Sequence, residues 1–135
     1  MPDNPMSPPP SHAVTMSYRH PSELARVRRF VTARGAEVGM PPDRLGQLVT
    51  AVNELATNTL EHAPGPGTVR MWSEPMALVC QVDDAGHLAD PRAGRETPPP
   101  DQLRGRGLLL VHKLSDLVQV DARPGHTAVR TYYYL

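Results

Sequence analysis

Apolar residues recur at two different intervals along this chain, and the interval predicts which segments form helices and which form strands. Between Pro21 and about Val38 they return every three or four residues, and glycines stand near the end of the segment. This pattern predicts a first helix. The apolar positions are Leu24, Val27, Phe30 and Val31.

Residues 40–67 predict a second, longer helix. The segment begins with prolines that suit a first helical turn and finishes in a Pro-Gly cluster that no helix crosses. Between these ends the apolar residues fall on one broad face. They are Leu45, Leu48, Val49, Val52, Leu55, Ala56 and Leu60.

Short β-rich runs separated by turn residues predict the strands, and leucines at helical spacing predict a last helix over residues 108–116. The expected strands are residues 13–19, 68–74, 76–84, 117–122 and 127–135. This order of elements predicts an α+β fold: a two-layer α/β sandwich with helices on one face of a mostly antiparallel sheet.

The length of 135 residues suits one domain with one core. Residues 1–12 are rich in proline and polar groups, so we expect a disordered tail before a domain that spans residues 13–135. Residues 85–107 have no periodicity and are dense in glycine, proline and charge, which predicts a long functional loop.

Charge and hydropathy exclude several classes of protein. The 14 basic and 14 acidic residues balance, so the chain lacks the basic surface of a nucleic-acid or anionic-membrane binder. No segment reaches the roughly 18 to 20 apolar residues that span a bilayer, and the first residues do not resemble a secretory signal. A lone Cys80 forms no internal disulfide. We expect a soluble, cytoplasmic protein.

Three polar features stand out against this background. Glu54, Asn58 and His62 are spaced four residues apart, so they share one helix face. The simplest alternative is an ordinary polar edge of the helix. Asp84 and Gly86 follow a predicted strand, where a carboxylate can accept a hydrogen bond from an exocyclic amine and glycine leaves room for a flat ring.

The third feature is a pair of glycines, Gly105 and Gly107, which we expect to stand directly before the last helix. Helix N-termini offer unpaired backbone N–H groups and a positive dipole, so a phosphate can bind there. Each of the three features is common by itself, and their order along the chain is more specific.

In this order, "NELATNTLEHA" resembles the N box of the GHKL nucleotide-binding family, "VDDAG" its first glycine box and "RGRGLLLVHKLSD" its second. The resemblance covers residues 13–135. The domain is short, and we expect neither a dimerisation hairpin that carries a phosphorylated histidine nor a transducing domain. Within the family, the sequence is therefore most similar to the anti-sigma-factor serine/threonine kinases and related ATP-binding regulators.

The resemblance implies a set of site residues for ATP and Mg²⁺. Asn58 is expected to bind Mg²⁺ through its side-chain oxygen, and Glu54 to be the catalytic general base. Asp84, rather than its neighbour Asp83, is expected to bind the adenine amine, because successive strand residues face opposite ways. The other implied nucleotide-binding residues are Gly86, Arg104, Gly105, Arg106, Gly107, Leu108 and Thr127.

The resemblance also implies a function and partners. The expected protein phosphorylates an anti-sigma-factor antagonist and switches between this antagonist and a sigma factor, without direct binding of nucleic acid or membrane, and the family suggests a homodimer. Residues 87–104 are expected to act as a lid, and Leu88 stands near the place of a second family glycine. The alternatives are a nucleotide-sensing module without transfer, or the fold without a nucleotide.

Overall fold

The computed structural model describes residues 6–86 and 103–135, and the side chains only outside residues 103–107. Within these ranges the chain forms three α-helices and five strands. The helices are α1 (Leu24–Glu37), α2 (Pro42–His62) and α3 (Leu103–Leu114), and the strands are β1 (Val14–Tyr18), β2 (Gly67–Glu74), β3 (Ala77–Asp84), β4 (Leu117–Arg123) and β5 (His126–Tyr134).

The five strands form one sheet in the order β1-β2-β3-β5-β4, and every neighbouring pair is antiparallel. The helices pack on one face of this sheet, which confirms the expected α+β sandwich. Strand β1 pairs only with β2, so it is an edge strand in the described sheet.

Helix α2 lies at the centre of the helical layer, and its apolar face forms the middle of the core. Leu48 and Val52 are fully buried, and they pack in the same cluster as Val69 of β2 and Val82 of β3. Cys80 lies in this cluster as well, and burial raises the pKa of its thiol, so it packs as a small neutral side chain.

The start of α3 differs from the expectation that Gly105 and Gly107 precede the helix. The helix begins at Leu103, so both glycines lie inside it. Glycine costs only about 1 kcal/mol in a helix interior relative to alanine. The neighbouring Leu and Arg residues favour a helix, so the glycines do not delay its start.

The N-terminal segment, residues 6–12, lies in the part of the chain for which we expected disorder, and Ser7 in it contacts the sheet. Arg130 of β5 is only 2% exposed on the sheet face away from the helices, and its guanidinium lies 4.9 Å from the centre of the Trp72 ring. It donates to Gln81 Oε1 at 2.7 Å and to both the hydroxyl and the carbonyl oxygen of Ser7. Arg130 therefore ties the N-terminal segment to the sheet.

None of the helices in the described ranges has the length and apolar character that crossing a membrane requires.

A close backbone approach occurs where β1 meets β2. Tyr18 lies opposite Gly67, and a Cβ atom at position 67 would lie 2.4 Å from both Cζ and the hydroxyl oxygen of Tyr18. The ring is almost completely buried, so it has no room to move aside.

We expect Gly67→Ala to destabilise the fold by roughly 1–3 kcal/mol, because overpacking forces a buried ring out of its rotamer. Urea unfolding measures this loss. Gly46→Ala is the control, since a Cβ there meets no atom within 4 Å and alanine favours the helical conformation. Equal stability of Gly67→Ala and the native protein would contradict the packing argument.

We also expect removal of residues 1–12 to destabilise the fold by about 1–3 kcal/mol, because a buried guanidinium loses two acceptors. Trp72, the single tryptophan, should become more accessible to iodide quenching. A chain without residues 1–5 keeps Ser7 and should behave as the full chain does. Unchanged stability and unchanged quenching in both truncated chains would contradict the contact between Ser7 and Arg130.

Candidate functional site

A narrow cleft lies between the helical layer and the ends of β3 and β5. Apolar side chains from α2, α3 and both strands form its walls, and three polar side chains interrupt them. The lining residues are Leu55, Asn58, Val82, Asp84, Leu108, Thr127 and Val129. The structure thus brings together four of the residues that the sequence assigned to a site: Asn58, Asp84, Leu108 and Thr127.

Asn58 reaches the cleft because it lies one turn after Leu55 on the buried side of α2. Its side chain is 7% exposed and makes no hydrogen bond within the described part of the chain. An amide in such a position costs free energy unless a ligand or water binds it. Asn58 is therefore available to a ligand in the cleft.

Asp84, the last residue of β3, points to the helical layer, and Asp83 points to the opposite face. Asp84 is 8% exposed, and its Oδ1 accepts a hydrogen bond from the backbone N–H of Gly86 at 2.8 Å. Asp83 instead binds Arg70 at 2.9 Å and His126 at 2.9 Å. The strand alternation that distinguished the two carboxylates therefore holds in the structure.

Thr127 lies opposite Asp84 in the β3–β5 register and is 2% exposed. Its hydroxyl donates to the carbonyl oxygen of Gly86 at 2.9 Å. Gly86 is therefore held from both sides, through its N–H by Asp84 and through its carbonyl by Thr127. The turn after β3 is therefore fixed beside two residues of the cleft lining, Asp84 and Thr127.

Two residues that the sequence analysis did not select complete this arrangement. The Thr59 hydroxyl donates to Asp84 Oδ2 at 2.8 Å, and the Tyr18 hydroxyl donates to Thr59 Oγ1 at 2.8 Å. Burial raises the pKa of Tyr18, so its hydroxyl remains a donor over the ordinary pH range. One signal pointed to Thr59: it continues the buried stripe of Leu48, Val52 and Leu55, where a polar residue needs a partner.

The remainder of the polar stripe on α2 lies outside the cleft. Glu54 is half-buried one turn before Asn58 and is not among the lining residues. His62 is exposed near the end of α2, with its Nε2 3.6 Å from a carboxylate oxygen of Glu61. Asn58 is thus the member of the stripe that enters the cleft.

The glycine-rich segment is described only through its backbone. Because α3 begins at Leu103, the N–H of Gly105 falls among the first four helical N–H groups, which have no acceptor within a helix, whereas Gly107 lies beyond them. The side chains of Arg104 and Arg106 are outside the described ones. So are residues 87–102, which contain Leu88 and most of the expected lid.

No group of three or more His, Cys, Asp or Glu residues suitable for a metal ion occurs in the described ranges. A protein cage for a transition metal is therefore not built there. Mg²⁺ has different needs, since it takes oxygen ligands, binds few protein groups and completes its shell with phosphates and water. The free Asn58 amide fits that ion.

Comparison with known proteins agrees with this geometry. A family model, the histidine kinase-like ATPase domain, matches residues 19–133, whereas no curated protein matches significantly. Among solved structures, the fold is similar to the crystal structure of the RsbU and RsbW domains of Rv1364c from Mycobacterium tuberculosis, with a TM-score of 0.65 and 15% sequence identity.

This structural similarity covers 92% of our chain and 32% of the other chain, so our chain spans about a third of that protein's length. At such low identity it shows the fold alone. The family model, in contrast, matches most of the sequence and includes every described residue of the cleft. The chain belongs to the family of histidine kinase-like ATPase domains.

Proposed function

We propose that the protein binds ATP with Mg²⁺ in this cleft and transfers the γ-phosphoryl group to a serine or threonine of an anti-sigma-factor antagonist. One observation supports nucleotide binding above all: Asn58, Asp84 and Thr127 come from three separate elements and line the same cleft. Asn58 and Asp84 lie in motifs in which the chain resembles the GHKL family, and Thr127 is a site residue that the resemblance implies.

The adenine ring has a suitable environment at the strand ends. Asp84 supplies a carboxylate acceptor for the exocyclic amine, and Leu55, Val82 and Val129 supply apolar surface. Ligand sites of this kind combine apolar walls with few polar groups that fix orientation. Gly86 would place backbone instead of a side chain beside the ring.

Asn58 is the residue that would hold Mg²⁺, through its side-chain oxygen. Mg²⁺ held there would supply neutralisation of the phosphate charge. The start of α3 would bind phosphate oxygens through backbone N–H groups, with Gly105 among them. Arg104, Arg106 and Gly107 remain proposed phosphate-binding residues of this segment.

Glu54 would act as the general base. It lies one helical turn before Asn58, so the two side chains project from neighbouring turns of α2. Its carboxylate would accept the proton of the attacking hydroxyl while that oxygen bonds to the γ-phosphorus and the bond to ADP breaks. Such transfer depends on positioning and charge neutralisation more than on covalent catalysis.

The proposed partners follow from the resemblance to the anti-sigma-factor kinases. The similarity to a structure of RsbU and RsbW domains agrees with that resemblance. The phosphorylated partner would be an antagonist protein, and the alternative partner a sigma factor. A homodimer and a cytoplasmic location remain predictions.

A second candidate function is a nucleotide-sensing module that sequesters a regulator and transfers no phosphate. The position of Glu54 favours it, since this carboxylate lies outside the described cleft lining. ATP binding is common to both candidates, and the role of Glu54 separates them.

We expect Asp84→Asn to weaken ATP binding by about 10- to 100-fold, because an amide replaces the carboxylate that accepts from the adenine amine. Isothermal titration calorimetry with ATP and Mg²⁺ measures the change. Asp83→Asn is a matched control, since this adjacent carboxylate faces the other side of the sheet. Equal loss in both variants would contradict the placement of adenine beside Asp84.

We expect Glu54→Gln to lower phosphoryl transfer by about 100-fold or more, with ATP affinity within about twofold of the native value, because only the general base is lost. Labelled ATP and candidate antagonist proteins provide the assay. Glu61→Gln, an exposed change on the same helix, should retain transfer. Undiminished transfer by Glu54→Gln would exclude Glu54 as the base, and no transfer by the native protein would favour the sensing module.

A further inference from the structure

The Asp84 carboxylate is held by a hydrogen-bond chain that begins on the edge strand β1. Tyr18 Oη lies 2.8 Å from Thr59 Oγ1, which lies 2.8 Å from Asp84 Oδ2. Tyr18 and Thr59 are both essentially inaccessible to solvent, at 1% and 0% exposure. Both hydrogen bonds are therefore shielded from competing water.

The direction of the two protons follows from the acceptor. An ionised carboxylate only accepts hydrogen bonds, so Thr59 must donate its single hydroxyl proton to Asp84. The same proton is then not shared fully with the Leu55 carbonyl, which is farther away at 3.3 Å. Since Thr59 has no second proton, Tyr18 must be the donor in the first bond.

We infer that Tyr18 and Thr59 are positioning residues that orient the Asp84 carboxylate towards an exocyclic amine and so set the preference for adenine. This inference rests on the proposed ATP-binding function. Thr59 fixes Oδ2 and the Gly86 N–H fixes Oδ1, so the plane of the carboxylate is determined from both sides. A carboxylate has about four lone-pair sites, so it can accept several hydrogen bonds at once, one from an exocyclic amine among them.

Tyr18 contributes through Thr59, which it keeps in one rotamer. The rotamer is also limited by packing, because the Thr59 methyl group and the Tyr18 ring both lie over Gly67, which has no side chain. If Tyr18 no longer donates, Thr59 can turn its hydroxyl to the Leu55 carbonyl. Asp84 then loses the hydrogen bond from Thr59 to its Oδ2 although its own side chain is unchanged.

The test compares ATP with purine riboside triphosphate, which is the same nucleotide without its exocyclic amine. The ratio of the two dissociation constants reports the amine contact alone, because a general loss of structure weakens both nucleotides together. Calorimetry with Mg²⁺ measures both constants for each variant, and thermal unfolding verifies that each variant is folded.

We expect the preference for ATP to fall by roughly three- to tenfold in Thr59→Val and to a smaller extent in Tyr18→Phe, since each removes one hydrogen bond of a relay. Thr59→Ser retains the hydroxyl and should keep most of the preference. Tyr133→Phe is the matched control, because Tyr133 is equally buried on the same sheet face but binds Ser115 instead.

If Thr59→Val and Tyr18→Phe both prefer ATP over purine riboside triphosphate as strongly as the native protein does, the positioning role is wrong. The proposed ATP site would then remain intact. A native protein that binds ATP and purine riboside triphosphate equally would also overturn the positioning role. If the native protein binds neither nucleotide, the proposed function itself fails together with this inference. A lowered preference in Tyr18→Phe but not in Tyr133→Phe supports it.

Discussion

Burying the Asp84 carboxylate between the helices and the sheet requires donors on the protein, because a buried charge without them costs several kcal/mol. Thr59 and the Gly86 N–H provide these donors. To supply them, α2 must present a threonine on its core-facing side, and the chain after β3 must turn back at Gly86. The geometry of the cleft therefore follows from the need to supply hydrogen-bond donors to the Asp84 carboxylate.

The two faces of the sheet each stabilise a buried charged side chain, Asp84 on one and Arg130 on the other, by different means. On the helical face the Asp84 carboxylate accepts hydrogen bonds from the Thr59 hydroxyl of α2 and from the Gly86 N–H after β3. On the other face the Arg130 cation has, among the described residues, neutral acceptors from Gln81 and Ser7 together with the Trp72 ring. Neutral acceptors and an aromatic face suffice for a guanidinium because it is less strongly hydrated than an ammonium group. Strand alternation alone places the adjacent residues Asp84 and Asp83 on these two opposite faces.

Periodicity was sufficient to predict the strands, the α2 helix and the opposite faces of Asp84 and Asp83, because those features depend on neighbouring residues. The helix start at Leu103 was missed because Gly105 and Gly107 were assigned to the loop before the helix, although the cost of glycine is small within a favourable sequence. The relay joins Tyr18 to a residue 41 positions away, and Arg130 binds a residue 123 positions away. Local patterns contain no information on such pairs, since the fold alone brings them together.

The close approach at Gly67 restricts which substitutions evolution can accept. Any side chain at position 67 would meet the Tyr18 ring and the Thr59 methyl group, so the three positions are not independent. A lineage that exchanged Gly67 for a larger residue would have to give up the aromatic ring at position 18 as well, and with it the phenol that holds Thr59. Related sequences should accordingly show glycine at this place wherever tyrosine ends the first strand, and correlated replacement of both where it does not.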